Sequence, residues 1–306
     1  MGQSVVGIRS IEIEMAAPER AAEFYTGVWN LAEVERAGGA ILLRATGPCH
    51  HVLAIHGNSG PPAVRRIVFT AEGRERCDAL HGKVAAATSL VEDPGPVALG
   101  GGGYGFGFTD PAGRAFAVVC DAADHRDAGP VPDRPLKISH VNLNDPDPDR
   151  TRDFFVDALG FRWVDHSGPQ YFLNCASPDH STIVICRAGQ PTLNHVAFEM
   201  TDLDSVMRGA GRMRDNGYPI EWGVGRHGPG NNAFAYFAGP EELPIEYTAD
   251  GRRIDDAYEF HGPDHWKWPP GRLDQWGVTP PHTNRWKRVQ TLFGFAPDAW
   301  RVRQAD

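Results

Sequence analysis

Two histidines and a glutamate, His140, His195 and Glu246, carry the residue types and the spacing for a metal centre. His140 sits in Ile138-Ser139-His140-Val141-Asn142-Leu143, His195 in Leu193-Asn194-His195-Val196-Ala197-Phe198 and Glu246 in Leu243-Pro244-Ile245-Glu246-Tyr247. Each segment alternates or runs apolar over about six residues, the pattern of a β-strand. Two imidazoles and one carboxylate leave neighbouring positions of an octahedral ion open, the donor set of non-heme Fe(II) oxygen chemistry. A lone histidine on a strand is usually structural, so the expectation rests on the set and on the scaffold that repeats around it.

That scaffold is a tandem repeat. Glu19 to Trp29 and Arg150 to Gly160 both show helical spacing, both follow a strand closely, and their Phe24 and Phe154 lie 130 residues apart. Strands are predicted after each helix, over Ala40 to Leu43 and His51 to Ile55 in one copy and over Gln170 to Asn174 and Thr182 to Cys186 in the other. Arg65-Arg66-Ile67-Val68-Phe69-Thr70 matches Asn194-His195-Val196-Ala197-Phe198-Glu199 at a spacing of 129, and the hairpins Phe108 to Phe116 and Phe237 to Ile245 close the two halves. The chain therefore reads as four βαβββ modules starting near residues 7, 64, 137 and 192, an α+β fold. Residues 1–125 form a metal-free N-terminal domain and residues 136–250 the metal domain. A linker rich in Asp, Pro and Gly runs from Asp124 to Pro135, and residues 251–306 are a tryptophan-rich tail.

The duplication supplies an internal control. His140 falls on Ser10, His195 on Arg66 and Glu246 on Ala117. A residue required by the fold alone should recur in both halves, and these three do not.

Composition narrows the function classes. With 306 residues, 41% hydrophobic and 23% charged, the chain can bury a substantial core. Its net charge of -9 and lack of a basic run exclude a phosphate footprint, so no nucleic-acid partner is expected. No apolar run approaches 18 residues, so no membrane span is expected. Met1-Gly2-Gln3-Ser4 has no signal-peptide character. Five cysteines without a C-x-x-C pair fit a reducing compartment, and the expected localisation is cytoplasmic. Gly100 to Gly107 lacks the Lys-Ser/Thr of a phosphate loop and opens no helix, and His50-His51 and His56 lie in the half without ligands.

Four βαβββ modules with His, His and Glu in the second half resemble the vicinal-oxygen-chelate (glyoxalase/bleomycin resistance) superfamily. More closely, residues 5 to 250 resemble a type I extradiol ring-cleavage dioxygenase. The most specific stretch is Gly225 to Tyr236, in which His227 precedes Tyr236 by nine residues and Glu246 follows ten later. It departs from the family signature at Ala235, at Gly239-Pro240 and in Glu241-Glu242-Leu243-Pro244, changes that concern the turn.

The resemblance implies two tandem domains, each pair of modules forming a curved open barrel. It implies Fe(II), or Mn(II), held by His140, His195 and Glu246, and extradiol cleavage of a catechol with both atoms of O2 incorporated, as in aromatic catabolism. His180, fifteen residues before His195, is implied as an acid/base, and His227 and Tyr236 as groups that bind the ring oxygens. Asn142, Phe172 and Trp222 are implied as substrate-pocket residues; Asn142 shares a strand face with His140 by alternation. Trp222 and Val224 stand before His227 at positions where acid-specific relatives place an arginine for a carboxylate, which points to a neutral or bulky apolar diol.

The partners expected are an aromatic diol, O2 and a second copy of the chain. In the tail, Trp266, Trp268, Trp276, Trp286 and Trp300 need something to cover, either the mouth of the metal site or a subunit interface. Arg272 and His265 are candidates to reach substrate from it. Two rival readings stand: a metal-dependent isomerase, lyase or transferase of the same superfamily, and a non-catalytic protein that binds an aromatic drug.

Overall fold

The computed structural model describes residues 4–304. The first module comprises β1 (Val5–Met15), α1 (Pro18–Gly27), β2 (Ala32–Ala37), β3 (Ala40–Arg44) and β4 (Leu53–Gly57). The second comprises β5 (Ala63–Ala71), α2 (Gly73–Ala87), β6 (Gly95–Pro96), β7 (Tyr104–Thr109) and β8 (Ala115–Cys120). The third follows with β9 (Lys137–Asp145), α3 (Pro148–Asp157), β10 (Arg162–Ser167), β11 (Gln170–Asn174) and β12 (Ile183–Arg187). The fourth is β13 (Leu193–Glu199), α4 (Leu203–Asp215), β14 (Trp222–Arg226), β15 (Ala233–Ala238) and β16 (Pro244–Ala249), after which the tail adds α5 (Asn284–Val289) and β17 (Gly294–Phe295).

The two sheets have the same connectivity. Strand order is β2-β3-β4-β1-β5-β8-β7-β6 in the first and β10-β11-β12-β9-β13-β16-β15-β14 in the second. Register follows the sequence offsets: Ser10 faces Val68 and Glu12 faces Arg66 in one sheet, as His140 faces Ala197 and Asn142 faces His195 in the other. The fold is the expected α+β arrangement of paired βαβββ modules, each pair a curved, open sheet.

Local sequence explains the helix starts. Asp147 accepts from the Arg150 amide and Pro148 opens α3, where a missing N–H costs nothing. α1 has no side-chain cap of its own. Instead Glu241, from the β15–β16 turn of the other half, accepts from the amides of Ala16 and Ala17 at 3.0 and 2.8 Å.

The halves are joined by reciprocal aromatic packing. Trp29, just after α1, stacks on Tyr247 of β16 with centroids 3.6 Å apart and meets Phe198 edge-on at 5.5 Å. Phe155, on the equivalent helix α3, meets Phe69 and Phe116 of the first sheet edge-on at 6.3 and 5.6 Å. Each half thus completes the other's core, which explains why a half without ligands accompanies the one that has them.

In the first sheet an ion cluster fills the place of the donors. Arg66 Nε lies 3.1 Å from Glu12 Oε2, and His56 Nε2 is 3.1 Å from the same oxygen. His51, 2% exposed beside them, is pushed down to about 4, chiefly by burial. A depressed histidine stays neutral when folded but takes up a proton when unfolded below its ordinary value near 6.5. Its contribution is therefore intact above that pH and is lost as pH falls from about 6.5 towards 4. The expected slope is about 1.4 kcal/mol per pH unit for this one group. Denaturant unfolding of wild type and His51→Gln across that range measures it, and an equal slope in both would contradict the assignment.

Candidate metal centre

Three adjacent strands present the donors: His140 on β9, His195 on β13 and Glu246 on β16. Ala197 is in register with both His140 and Glu246, and His195 lies two residues before it on the same strand face. His140 Nε2 and His195 Nε2 are 3.2 Å apart, and Glu246 Oε2 lies 3.3 and 3.2 Å from them. Donors about 2.1–2.2 Å from an ion and at right angles to one another stand about 3.0–3.1 Å apart. The triangle therefore fits one face of an octahedron. Among the described residues it is the only cluster of three such donors drawn this close.

The electrostatics favour the ligand state of Glu246 and of His195. Burial alone would raise the Glu246 carboxyl, but the adjoining His140 and His195 outweigh it and hold it well below the carboxylate range. His195 is lowered by burial, which favours the neutral imidazole a metal needs. Glu246 Oε2, wholly buried, has no hydrogen-bond partner, an atom aimed at a cation. Its Oε1 accepts from Asn232 Nδ2 at 3.3 Å, and the same amide donates to Thr248 Oγ1 at 2.7 Å.

A cavity of about 370 Å³ opens beside the donors. Its lining includes His140 and His195 together with five of the six residues that the resemblance implies for catalysis and substrate binding: Asn142, Phe172, Trp222, His227 and Tyr236. The sixth, His180, is not among its walls. Tyr236 lies edge-on to His195 with centroids 5.0 Å apart, and its hydroxyl is 2.8 Å from His227 Nε2. Burial, reinforced by Glu246, pushes the Tyr236 phenol well up, so it stays protonated, while burial pushes His227 down to about 4. Trp222 stacks on Tyr236 at 5.2 Å. Asn142 Oδ1 is buried with no partner.

His180 lines a smaller cavity of about 40 Å³ that it shares with His140 and Asn232, and Ser181 lines the larger one. His180 Nε2 is 2.6 Å from Asp165 Oδ2, and its buried Nδ1 has no partner. Tail residues hold that carboxylate from the far side: Tyr258 hydroxyl donates to Oδ2 at 2.9 Å, and the His261 amide donates to Oδ1 at 3.0 Å. The first half has an equivalent pair, His50 Nε2 being 3.4 Å from Glu35 Oε2. The duplication control that isolates the three donors therefore does not isolate His180.

The tail forms part of the larger cavity's wall. Trp268, Leu273, His282, Trp286 and Gln290 line it, whereas Arg272 and His265 do not. Trp286 packs on Tyr236 with centroids 4.9 Å apart. Asp165, Asn232, Ser181, Leu273, His282 and Gln290 escaped the sequence reading, whereas Trp268 and Trp286 are among the tail aromatics it set over the site mouth or an interface. Asn232 sits inside the Gly225–Tyr236 stretch and carried a local signal; the tail has no second copy to align with.

Fold and donor set together define a vicinal-oxygen-chelate protein with one three-donor centre in its second half. The family model for the Glyoxalase/Bleomycin resistance protein/Dioxygenase superfamily matches residues 137–247. The Mn(II)-bound glyoxalase from Novosphingobium aromaticivorans is 34% identical, with a TM-score of 0.85 over 92% of this chain and 94% of that one. The chain belongs to this superfamily. Metapyrocatechase 2 of Cupriavidus necator is 34% identical over 155 residues, which are 48% of this chain but only 46% of that protein's length. The manganese-dependent 2,3-dihydroxybiphenyl 1,2-dioxygenase of Geobacillus genomosp. 3 is 25% identical over 247 residues, 72% of this chain and 78% of the relative.

Proposed function

We propose that this chain cleaves the ring of an uncharged aromatic diol with O2, in the extradiol position, at Fe(II) or Mn(II) held by His140, His195 and Glu246. One observation carries the reading: the donors occupy a single octahedral face, with the Tyr236–His227 pair in the wall of the cavity beside it. When bound, the ion supplies adjacent open positions at which diol and O2 meet, so the encounter becomes intramolecular.

The protein's own groups do the rest. Tyr236, kept protonated, and neutral His227 hydrogen-bond the ring oxygens and orient them. Trp222 and Phe172 flank the ring, and Asn142 offers its unpartnered carbonyl. His180 exchanges a proton at Nδ1 while Asp165 fixes the opposite nitrogen. No lysine, arginine, aspartate or glutamate lines the cavity, which supports a neutral, apolar substrate. Replacing Tyr236 by Phe removes one hydrogen bond to a ring oxygen that would carry charge beside a divalent cation, worth about 1.5–3 kcal/mol. Turnover should fall about 10- to 150-fold while metal content is unchanged; loss of metal in this variant would contradict the orienting role.

All five cysteines are unpaired, which supports a reducing compartment, and we place the enzyme in the cytoplasm. No helix among the described residues is long and apolar enough to cross a membrane. Leu273, Trp276 and Val278 are exposed on the tail and would suit a contact between copies of the chain.

A second reading has support in the relative described as a glyoxalase, which matches over nearly the whole chain. That reading is an isomerase of the same scaffold. It lacks a fourth donor here, because Ser10, Arg66 and Ala117 occupy the equivalent positions. Incubation with 18O2 and a set of neutral and carboxylate-bearing catechols, with the adduct of a thiol and a 2-oxoaldehyde assayed in parallel, separates the two. Ring-opened product carrying two labelled atoms, made fastest from neutral diols, is expected. Unlabelled product from a thiol adduct, with no oxygen consumed, would establish the isomerase.

A further inference from the structure

His195 must present Nε2, not Nδ1, as a lone pair. Its Nδ1 lies 2.8 Å from Asn194 Oδ1. The other end of that amide, Nδ2, donates to Asn144 Oδ1 at 2.9 Å, and Asn144 Nδ2 donates to the backbone carbonyl of Gln290 at 2.6 Å and to Thr192 Oγ1 at 2.9 Å. Asn144 and Asn194 are buried, so neither amide can exchange these partners for water freely.

An amide side chain can turn over, swapping donor for acceptor; a backbone carbonyl cannot. The Gln290 carbonyl only accepts, so the nitrogen of Asn144 must face it. The Asn144 oxygen must then face Asn194, whose nitrogen donates to it, and the Asn194 oxygen must face His195. Nδ1 of His195 consequently carries the proton, and Nε2 is left free for a metal.

Gln290 lies in the tail, just after α5. The same stretch also joins the sheets: Phe293 carbonyl accepts from the Leu193 amide at 2.8 Å, and the Ala296 amide donates to Val64 carbonyl at 2.8 Å. In the half without donors, the positions equivalent to Asn144 and Asn194 are Glu14 and Arg65, which form an ion pair at 2.7 Å. A polarity chain exists only where there is a ligand to orient.

We infer that the C-terminal tail, through the Gln290 carbonyl, Asn144 and Asn194, sets the tautomer of His195 and so positions a metal ligand. This rests on the metal reading, but its first readout needs no metal. In metal-free protein, 15N NMR should find His195 protonated at Nδ1. Asn144→Leu frees Asn194 to turn over, so the tautomers should mix. Affinity for Mn(II), measured by chelator competition, should then fall about 10- to 100-fold, the usual cost of losing an outer-shell partner.

Adding Asn194→Asp should restore both readouts, because a carboxylate can only accept and fixes Nδ1–H without help from the tail. A purely structural role for Asn144 would not be repaired in that way. Asn144→Ala serves as a second disruptor should leucine compromise folding. The inference is overturned if both disruptors keep the wild-type tautomer and affinity, or if Asn194→Asp repairs neither. A wild-type chain with the correct tautomer but no Mn(II) affinity would overturn the metal reading instead.

Discussion

Glu246→Ala should abolish divalent-metal binding and turnover together. Glu246 is the only anion in the donor set, and its Oε2 stands 3.2–3.3 Å from both imidazole nitrogens. Without it, only two imidazoles face the cavity, and nothing there balances the charge of a divalent ion. Loss of metal affinity should exceed the roughly 10- to 100-fold that removal of an outer-shell partner costs. The metal-free fold should weaken as well, since a carboxylate held below its ordinary range by His140 and His195 contributes to folding at neutral pH. Metal content after dialysis, with thermal unfolding of the metal-free protein, checks both halves of the expectation. A Glu246→Ala chain that keeps one ion would show that the donors lie elsewhere.

Arg114→Ala should cost about 3–5 kcal/mol of stability, the toll for breaking a buried charge network from one side. Arg114, in the β7–β8 turn of the half without donors, is wholly buried. Its Nε donates to Asp110 Oδ2 at 2.7 Å, its Nη2 to Asp145 Oδ2 at 2.5 Å and its Nη1 to the Asn144 carbonyl at 2.9 Å. The last two partners close strand β9, which carries His140, Asn142 and Asn144. Removing the guanidinium leaves two buried carboxylates unpaired and releases the end of that strand. Urea unfolding measures the loss, and metal affinity should decline with it. A change under about 1 kcal/mol would mean that this buried charge network does not help to hold the halves together.

Much of this was legible because the chain is duplicated. The offsets of 130 and 129 predicted the module order, and Gln170–Asn174 is a strand with those bounds. His140, His195 and Glu246 stood out because their equivalents, Ser10, Arg66 and Ala117, have other chemistry. The same subtraction applied to His180 lands on His50, and the structure pairs each with a carboxylate, Asp165 and Glu35. Asp165 itself could not be found, since it meets His180 only through the register of β10 and its polar neighbours come from residues 258 and 261. Asn144 and Asn194 were hidden for a similar reason. Their role depends on a carbonyl 146 residues beyond Asn144, in a tail that has no repeat and only two short regular elements. Whether that tail covers the site or an interface was open from sequence; Trp268, His282 and Trp286 put part of it in the cavity wall.

The proposed function requires that three side chains hold one ion at which a diol ring is opened by oxygen. Its most direct test is oxygen uptake by protein reconstituted anaerobically with Fe(II) or Mn(II), using neutral catechols and following the appearance of a yellow product. One O2 consumed per diol at one ion per chain, with both signals absent in Glu246→Ala, is the predicted result. One bound ion per chain, with no oxygen consumed on any diol tested, would contradict it.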